Sequence, residues 1–343
     1  MIVIGSDPHK RSYTFAAVVD ATGELLSSEA VASTTAGHER LIGWARSLDE
    51  QRVWAIEDCR NVSGKLERFL LARGERVVRV PPKLMAGRRR ASRERGKSDP
   101  IDALAVARAA LQEGVDTLPT AVLEGPARDV KLLLDHREDV VAERTRAQNR
   151  LRWLLHDHWP ELELPTGCLD RTIWLDRIAS RLARSPQHTD VRVMRRQVRR
   201  LRELAREANQ LERELAQLVR QQQPQLLELP GVGPLTAAKL IAEIAGIERF
   251  ATSAKLARLA GVAPIPASSG NHIRMRLDRG GNRQLNAAIH RVAITQMRHH
   301  PPARDYIARR LTEGKTKREA LRALKRHLVR SIHNTMNPTP ALT

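Results

Sequence analysis

The chain has few aromatic side chains, two cysteines and no long apolar run. Aromatic residues make up only 3% of it, so the platforms on which single-strand binding proteins stack bases are scarce. Cys59 and Cys168 lie far apart and belong to no C-x-x-C pair, which indicates neither a zinc site nor a disulfide framework. No apolar run is long enough to cross a bilayer, and residues 1–4 lack the basic and long apolar regions of a signal peptide. We therefore expect a protein of a reducing, bacterial-type cytoplasm with no membrane partner.

Acidic residues are also in the minority, because 59 Lys and Arg outnumber 39 Asp and Glu and give a formal net charge of +20. A surface of this sign attracts polyphosphate backbones and gains affinity by releasing their counterions, which indicates nucleic-acid binding. Four carboxylates nevertheless stand at the ends of apolar runs or on one helical turn: Asp7, Glu57, Asp99 and Asp102. A carboxylate cluster repels a phosphate backbone unless a divalent cation lies between them, so these residues predict metal-dependent chemistry on nucleic acid.

Residues 1–118 alternate between strand-like and helix-like segments. The pattern predicts strands at residues 2–5, 13–20, 24–32, 53–56 and 76–80, and helices at residues 38–48 and 62–72. Three strands followed by alternating helices and strands form an α/β order. This order is compatible with the ribonuclease-H-like fold and with several other mixed sheets.

A further helix is predicted to run from Pro100 to Leu111, with Asp99 as its N-cap, because proline is favoured at the first helical position. Capping alone would explain Asp99. Asp102 lies three residues further on and shares a face with Asp99, where an apolar core would not accept two carboxylates. The basic stretch before this helix, residues 83–97, is expected to contact nucleic acid through Arg88, Arg89, Arg90 and Lys97.

Residues 126–223 are mostly long helix, interrupted near residues 159–160 and 165–167. Its second half carries a narrow apolar seam, formed by Leu201, Leu204, Ala208, Leu211, Leu215 and Leu218. This spacing is typical of coiled-coil packing, either against the earlier helix of the same chain or against a second copy. The arginines at 195–196 and 199–200 form either a nucleic-acid-contacting stripe or a solvated helix face.

The last block begins at residue 226 and contains the segment LPGVGP at residues 229–234. This segment resembles the hairpin of helix-hairpin-helix motifs. In such motifs glycines, here Gly231 and Gly233, let the backbone approach a phosphate at a helix N-terminus. An ordinary tight turn between two helices is the alternative. We predict domains at residues 1–118 (catalytic), 119–225 (helical, coiled coil) and 226–334 (mainly α-helical, with the hairpin motif), and a frayed tail at 335–343.

Three segments resemble the DEDD motifs of transposases of the insertion-sequence 110 family: residues 5–10 (GSDPHK), 56–57 (IE) and 97–103 (KSDPIDA). The catalytic domain of that family resembles the Holliday-junction nuclease RuvC, a ribonuclease-H-like protein. The resemblance continues in the last block, where residues 229–233, Phe250, 259–261, Pro264, 269–270, Gly281-Asn282 and Leu285 look like the family's transposase domain.

This resemblance implies that Asp7, Glu57, Asp99 and Asp102 hold Mg²⁺, two ions per site, and that Ser269 attacks DNA. It also implies double-stranded donor and target DNA, a noncoding guide (bridge) RNA encoded beside the gene, a dimer or tetramer of the chain, and a place at the bacterial nucleoid. Arg274 and Arg276 flank the serine-containing loop and are expected to contact nucleic acid. Asp58 could compete with Glu57 as a ligand, and the adjacent Ser268 leaves the nucleophile open between two serines.

These residues are compatible with three functions. A recombinase would use the four carboxylates together with Ser269, whereas a junction resolvase or nuclease would activate water with the same acids and would not need the serine. A non-catalytic architectural protein would bind through the hairpin and the arginine-rich helices alone. A tyrosine recombinase is poorly supported, because the chain has only Tyr13 and Tyr306. The presence of both the acidic residues and the Ser269-Gly270 loop favours the recombinase.

Overall fold

The computed structural model describes residues 1–57, 60–81, 84, 99–116, 118, 120, 125–267, 275–276 and 281–337. The chain divides into two compact units, Met1–Glu124 and Gly125–Thr343. The finer division into three domains and a tail stays a prediction. No helix in the described ranges is long and apolar enough to span a membrane.

The first unit is a five-stranded sheet with helices on both faces. Its strands are β1 (Ile2–Pro8), β2 (Ser12–Val19), β3 (Leu25–Ala32), β4 (Arg52–Glu57) and β5 (Val77–Val80), and its helices are α1 (Thr35–Leu48), α2 (Arg60–Leu71) and α3 (Asp99–Glu113). The strand order is β3-β2-β1-β4-β5. The first three strands pair antiparallel, and β1, β4 and β5 pair parallel. This order with these directions is the ribonuclease-H-like arrangement, so the predicted fold class is confirmed.

Side chains on successive strand residues point to opposite faces, and each face has its own core. Ile4, Phe15 and Trp54 are buried on one face together with side chains of α1 and α2. Val3 and Ala55 are buried on the other face together with side chains of α3. The sheet is therefore the middle layer of three.

Helix α3 crosses β1 at Gly5, where the backbones of the helix and the strand are in contact. A Cβ atom at Gly5 would lie 2.2 Å from the carbonyl oxygen of Ala103 and 2.5 Å from the amide nitrogen of Ala107. Real Cβ atoms do not come this close to backbone, so only glycine fits here. The small residues Ala103, Ala107 and Ala110 on the facing side of α3 are all fully buried. The contact fixes where the first turn of α3 lies along β1.

The second unit is helical, apart from the short strands β6 (Ile265–Pro266) and β7 (Met275–Arg276). Its helices are α4 (Pro126–His158), α5 (Thr172–Arg184), α6 (Thr189–Gln222), α7 (Pro234–Ile244), α8 (Ser253–Leu259), α9 (Arg283–His299), α10 (Pro301–Thr312) and α11 (Lys317–Met336), with 3-10 helices at Cys168–Asp170 and Pro224–Glu228. The mainly helical composition predicted for this part of the chain is confirmed.

Helices α4 and α6 form a long antiparallel pair. His158 lies 2.5 Å from Asp190 near one end, and Arg137 lies 2.7 Å from Glu212 near the other. The seam residues between these ends are buried, and Leu204, Ala208 and Leu211 share a core cluster with Val140 of α4. Of the two packing partners that the sequence allows for the seam, the structure shows the earlier helix of the same chain.

We expect Leu204→Ala to lower the free energy of unfolding by about 2–5 kcal/mol, because Leu204 is fully buried in the seam and its removal leaves a cavity. Leu132→Ala is the matched control, since Leu132 on α4 is 53% exposed and its loss should cost well under about 1 kcal/mol. Denaturant unfolding measures the difference. Light scattering should give the same mass for both variants and the wild type, and a lower mass for Leu204→Ala would show that the seam also joins two chains.

Gly5→Ala should destabilise the first unit by about 1–3 kcal/mol, because the added methyl group forces α3 away from β1. Gly43→Ala is the control, since Gly43 lies within α1 and an added methyl group there would have nothing within 4 Å. That substitution should be neutral or stabilising by up to about 1 kcal/mol. Equal unfolding midpoints for the two variants would show that the contact at Gly5 is not tight in solution.

Candidate active site

Asp7 and Glu57 stand at the ends of two neighbouring parallel strands. β1 and β4 pair in a register that places Ser6 opposite Ile56, so the next residues along the two strands are Asp7 and Glu57. Both side chains belong to the sheet face that α3 covers, because Gly5 and Ala55, two residues earlier, face that helix. Asp7 is buried and Glu57 is partly buried. The two carboxylates therefore lie on one face of the sheet, at the carboxyl ends of β1 and β4.

The first turn of α3 supplies Asp99 and Asp102. The helix begins at Asp99 itself, one position earlier than predicted, a difference within the usual uncertainty of helix ends. Asp102 is 3% exposed, whereas the Asp99 side chain is 53% exposed. Because Ala103 contacts β1 at Gly5, the turn before it lies beside the end of the strand that carries Asp7.

His9 lies between two of these carboxylates. Its Nδ1 atom is 3.7 Å from Oδ2 of Asp7, and its Nε2 atom is 3.9 Å from Oδ1 of Asp99. One possible ligand atom from each of Asp7, His9 and Asp99 lies within 4.8 Å of the others. The three residues come from the end of β1, the residue after it and the start of α3. Sequence reasoning gave His9 no role, although it is the second residue after Asp7.

These donors suit a divalent cation. Carboxylate oxygens are the ligands preferred by hard cations, and imidazole nitrogen is accepted by several divalent metals. Two carboxylates within 4.8 Å repel each other until a cation lies between them. Glu57 and Asp102 are not members of that group of three. They occupy neighbouring positions on β4 and α3, and the competing Asp58 lies outside the described residues.

The hairpin at Gly231 and Gly233 joins the 3-10 helix Pro224–Glu228 to α7. Gly231 has φ +80°, a left-handed conformation that favours glycine, and the amide of Val232 donates to the carbonyl of Leu229. Gly233 is the N-cap of α7 and has nothing within 4 Å of a Cβ position. Both glycines are exposed and Val232 is buried. A Cβ atom at Gly231 would lie 3.3 Å from the side chain of Thr295, so only Gly233 has open space beside its backbone, and phosphate binding by this hairpin stays a prediction.

Residues 268–274 and 277–280 lie outside the described ranges, and with them Ser268, Ser269 and Arg274. The chain on either side of them is well anchored. Ile265 and Pro266 pair antiparallel with Arg276 and Met275. A Cβ atom at Gly281 would lie 2.1 Å from the amide nitrogen of Gly261, so two backbones meet there.

Asn282 adds a polar anchor at the same place. Its side-chain oxygen caps α9, and its Nδ2 atom donates to Oε2 of Glu243 over 2.7 Å. Glu243 is 4% exposed and lies 3.1 Å from Nζ of Lys131. Burial alone would raise the pKa of Glu243, but the hydrogen bond from Asn282 and the charges of Lys131 and Lys239 outweigh it and lower that pKa below its ordinary value. Glu243 is therefore a buried anion at neutral pH.

The structure describes some of the basic residues that are predicted to contact nucleic acid. Arg276 in β7 is exposed. Arg88, Arg89, Arg90 and Lys97 lie outside the described residues. On α6, Arg195 donates to the side chain of Gln187, and Arg200 is paired with Glu143 at 2.9 Å. Arg196 and Arg199 are exposed, and they remain candidates for contact with nucleic acid.

Two family models match the chain. The model DEDD_Tnp_IS110, described as "Transposase", matches residues 4–160, which include Asp7, Glu57, Asp99 and Asp102. The model described as "Transposase IS116/IS110/IS902 family" matches residues 223–308, which include the hairpin glycines and Ser269. Together the two matches cover more than two thirds of the 343 residues.

Relatives match over nearly the whole length. The 44.8 kDa protein of insertion element IS116 from Streptomyces clavuligerus is 29% identical, over 96% of this chain and 92% of that protein. The putative transposase of the IS117 mini-circle from Streptomyces coelicolor is 26% identical, over 93% of this chain and 90% of that protein.

Among solved structures, RuvC of Thermus thermophilus in complex with a Holliday junction matches 35% of this chain and 99% of its own, with 16% identity and a TM-score of 0.29. The strand order and directions, rather than this score, establish the fold. The first family match covers the carboxylates and continues through α4 of the second unit, and the second match covers the hairpin. The chain therefore belongs to the IS116/IS110/IS902 family and is a DNA transposase.

Proposed function

We propose that this transposase cleaves and exchanges DNA strands through the carboxylate cluster, defined as Asp7, Glu57, Asp99 and Asp102, together with Ser269 as nucleophile. The observation that supports the proposal most is the meeting of Asp7 and Asp99, far apart in sequence, with His9 within 4.8 Å. Such a group on a strongly basic chain suits phosphate chemistry with a divalent cation.

Mg²⁺ is the proposed cofactor, with two ions per site. Asp7 and Asp99 would hold a cation, His9 offers a third donor atom, and Glu57 and Asp102 stand on the same sheet face for further coordination. A bound divalent cation would offset the negative charge that gathers on a scissile phosphate as it is attacked. The protein's own part is to fix the carboxylates on two strands and one helix, so that little rearrangement is needed on binding.

Ser269 is proposed as the attacking residue because it precedes Gly270 in the loop that resembles the family's transposase domain. Its hydroxyl oxygen would bond to the scissile phosphorus while the bond from phosphorus to one deoxyribose oxygen breaks, and the serine proton would end on that leaving oxygen. Attack by a deoxyribose hydroxyl of the second duplex would release the serine and restore its proton. The number of phosphodiester bonds is unchanged, so no external energy source is required.

Donor and target DNA, a noncoding guide RNA and further copies of the chain are the proposed partners. The net charge of +20 and the open backbone at Gly233, where α7 begins, support nucleic-acid binding. Arg276 is exposed next to the segment that contains Ser269 and is proposed to contact the same duplex. The guide RNA and a dimer or tetramer rest on the family resemblance.

Mg²⁺ should stabilise the wild-type chain against unfolding, by about 2.7 kcal/mol when its concentration is a hundred times the dissociation constant. Asp7→Asn and Asp99→Asn should lose most of this gain. In chelator, Asp99→Asn should be as stable as the wild type or more stable, because a repulsion is removed. Thermal melts with Mg²⁺ and with chelator measure both effects.

Asp20→Asn is the matched control for these melts, since Asp20 is an exposed carboxylate just after β2 and should keep the full gain from Mg²⁺. A full gain in Asp7→Asn or Asp99→Asn would remove that residue from the metal site. Strand cleavage should fall by at least about a hundredfold in each variant of the carboxylate cluster, as expected when charge stabilisation at a reacting phosphate is lost.

Wild-type protein given DNA, Mg²⁺ and guide RNA should form a protein–DNA adduct that survives denaturing gel electrophoresis. Ser269→Ala should form none, and Ser268→Ala, its neighbour with the same loss of a hydroxyl, should retain it. Ser269→Ala should bind DNA with nearly wild-type affinity and salt dependence, because a hydroxyl contributes little to charge-driven binding. Cleavage without any adduct would indicate a nuclease that uses water, and an adduct lost only in Ser268→Ala would assign the nucleophile to Ser268.

A further inference from the structure

A surface cleft of about 480 Å³ lies in the first unit, on the sheet face opposite the carboxylate cluster. Its walls are the first residues of α1 and one side of α2. Three hydroxyl side chains line one wall: Ser33, Thr34 and Thr35. The other wall carries Lys65, Arg68 and Phe69, and no carboxylate is among the described residues that line the cleft. The described residues of the cleft therefore carry positive charge and hydroxyl groups, and none of them carries negative charge.

The cations of this cleft differ from their neighbours in the first unit. Arg40 is paired with Glu29, and Arg73 with Glu39. Lys65 and Arg68 lie one helical turn apart on α2, both exposed, and neither is ion-paired within the described part of the chain. Two adjacent cations without a carboxylate are disfavoured by repulsion, and an anion between them would relieve it.

The N-terminus of α1 adds backbone donors to the same cleft. Thr34 is the N-cap, and its side chain accepts a hydrogen bond of 3.1 Å from the amide of Gly37. The amide of His38 donates to the carbonyl of Thr34 over 3.0 Å. The amides of Thr35 and Ala36 precede this first helical bond, and such groups together with the helix dipole attract anions.

His38 is an independent sign of a ligand. It is 4% exposed, lines the cleft, and has no hydrogen-bond partner at Nε2 among the described residues. A buried polar atom without a partner is costly and calls for one. Burial lowers the pKa of His38, and the charges of Lys65 and Arg73 lower it further against the opposing charge of Glu39. The ring is therefore neutral at pH 7, and its tautomer with the proton on Nε2 can donate to an anion.

The contacts of Phe69 indicate whether a nucleobase or a phosphate binds in the cleft. Its ring centroid lies 5.0 Å from that of His38, and the guanidinium carbon of Arg73 lies 3.6 Å above the ring. Both contacts occupy the ring surface that a nucleobase would need for stacking. The remaining groups are a lysine, an arginine, hydroxyls and backbone amides, which are the groups that contact phosphate oxygens in nucleic-acid complexes.

We propose that this cleft binds one phosphodiester phosphate of a nucleic-acid backbone, at a site separate from the scissile phosphate. Lys65 and Arg68 supply the charge, the start of α1 supplies amide donors, and His38, which lines the cleft, supplies a further donor. Such a contact positions the nucleic acid without reading its sequence. The site requires neither the carboxylate cluster nor Ser269, so it goes beyond the proposed function and can be tested without cleavage.

The test compares salt dependence of binding for the full chain in chelator, with a 20-base-pair duplex and with single-stranded RNA as probes. Fluorescence anisotropy gives the slope of log K against log salt concentration. Lys65→Ala combined with Arg68→Ala should reduce the steepness of the slope by about 0.9 for duplex DNA, or about 0.7 for single-stranded RNA, as expected for one lost phosphate contact. For the duplex this equals about a 3.5-fold smaller loss of affinity over a fourfold rise in salt.

Arg40→Ala combined with Arg46→Ala is the matched control. It removes the same two charges from exposed positions of α1 that do not line the cleft, and it should leave the slope within error of the wild type. Lys65→Arg combined with Arg68→Lys should restore the wild-type slope. The probe that shows the loss identifies DNA or RNA as the source of the phosphate.

Equal slopes for the cleft variant and the control variant with both probes would overturn the proposal. Calorimetry with inorganic phosphate distinguishes a cleft for a free anion. Binding of inorganic phosphate that the cleft variant loses, together with unchanged nucleic-acid slopes, would also overturn it. An unchanged slope overturns this proposal even where strand cleavage is lost, whereas loss of cleavage alone bears on the proposed function.

Discussion

The contact between Gly5 of β1 and the backbone of α3 at Ala103 and Ala107 is the constraint on which the candidate site depends. It fixes the level at which the helix starts along the strand. Strand alternation then puts Asp7 on the same face, two residues beyond the contact, while the helix puts Asp102 directly before it. A register shift of one residue in β1 would turn Asp7 toward α1 and α2 and separate it from Asp99. The position of Asp7 relative to the acids of α3 therefore depends on Gly5, which has no side chain.

Electrostatics separates this site from the other buried acids of the chain. Glu75 is held by Arg52 and by Nε1 of Trp54, and although burial raises its pKa, these contacts lower it below its ordinary value. Glu243 is held in the same way by Asn282 and Lys131. Asp7 and Asp99 have ligand atoms within 4.8 Å of each other. The first arrangement stabilises the fold through fixed cations, and the second is where we propose that a divalent cation binds.

Much of the fold followed from periodicity, and what did not was decided by tertiary contact. The β-rich run predicts β1 at residues 2–5, yet pairing with β2 and β4 carries the strand to Pro8, across aspartate and proline, which strands rarely contain. The four acids could be selected from their positions at the ends of apolar runs, with the family resemblance. His9 could not, because its closeness to Asp99 exists only after folding. The seam of α6 was visible, but its partner was not, since a repeat of apolar residues does not distinguish one chain from two.

Both units contain a glycine at which two backbones meet. In the first, Gly5 brings β1 and α3 to backbone contact next to Asp7 and Asp102. In the second, Gly281 meets Gly261 in the same manner, and the neighbouring Asn282 is tied to the buried Glu243. Backbone contact of this kind leaves little freedom for relative movement, because close-packed atoms have no room to shift. The described chain that resumes at Gly281 is therefore held against Gly261 by backbone contact, as α3 is held against β1 at Gly5.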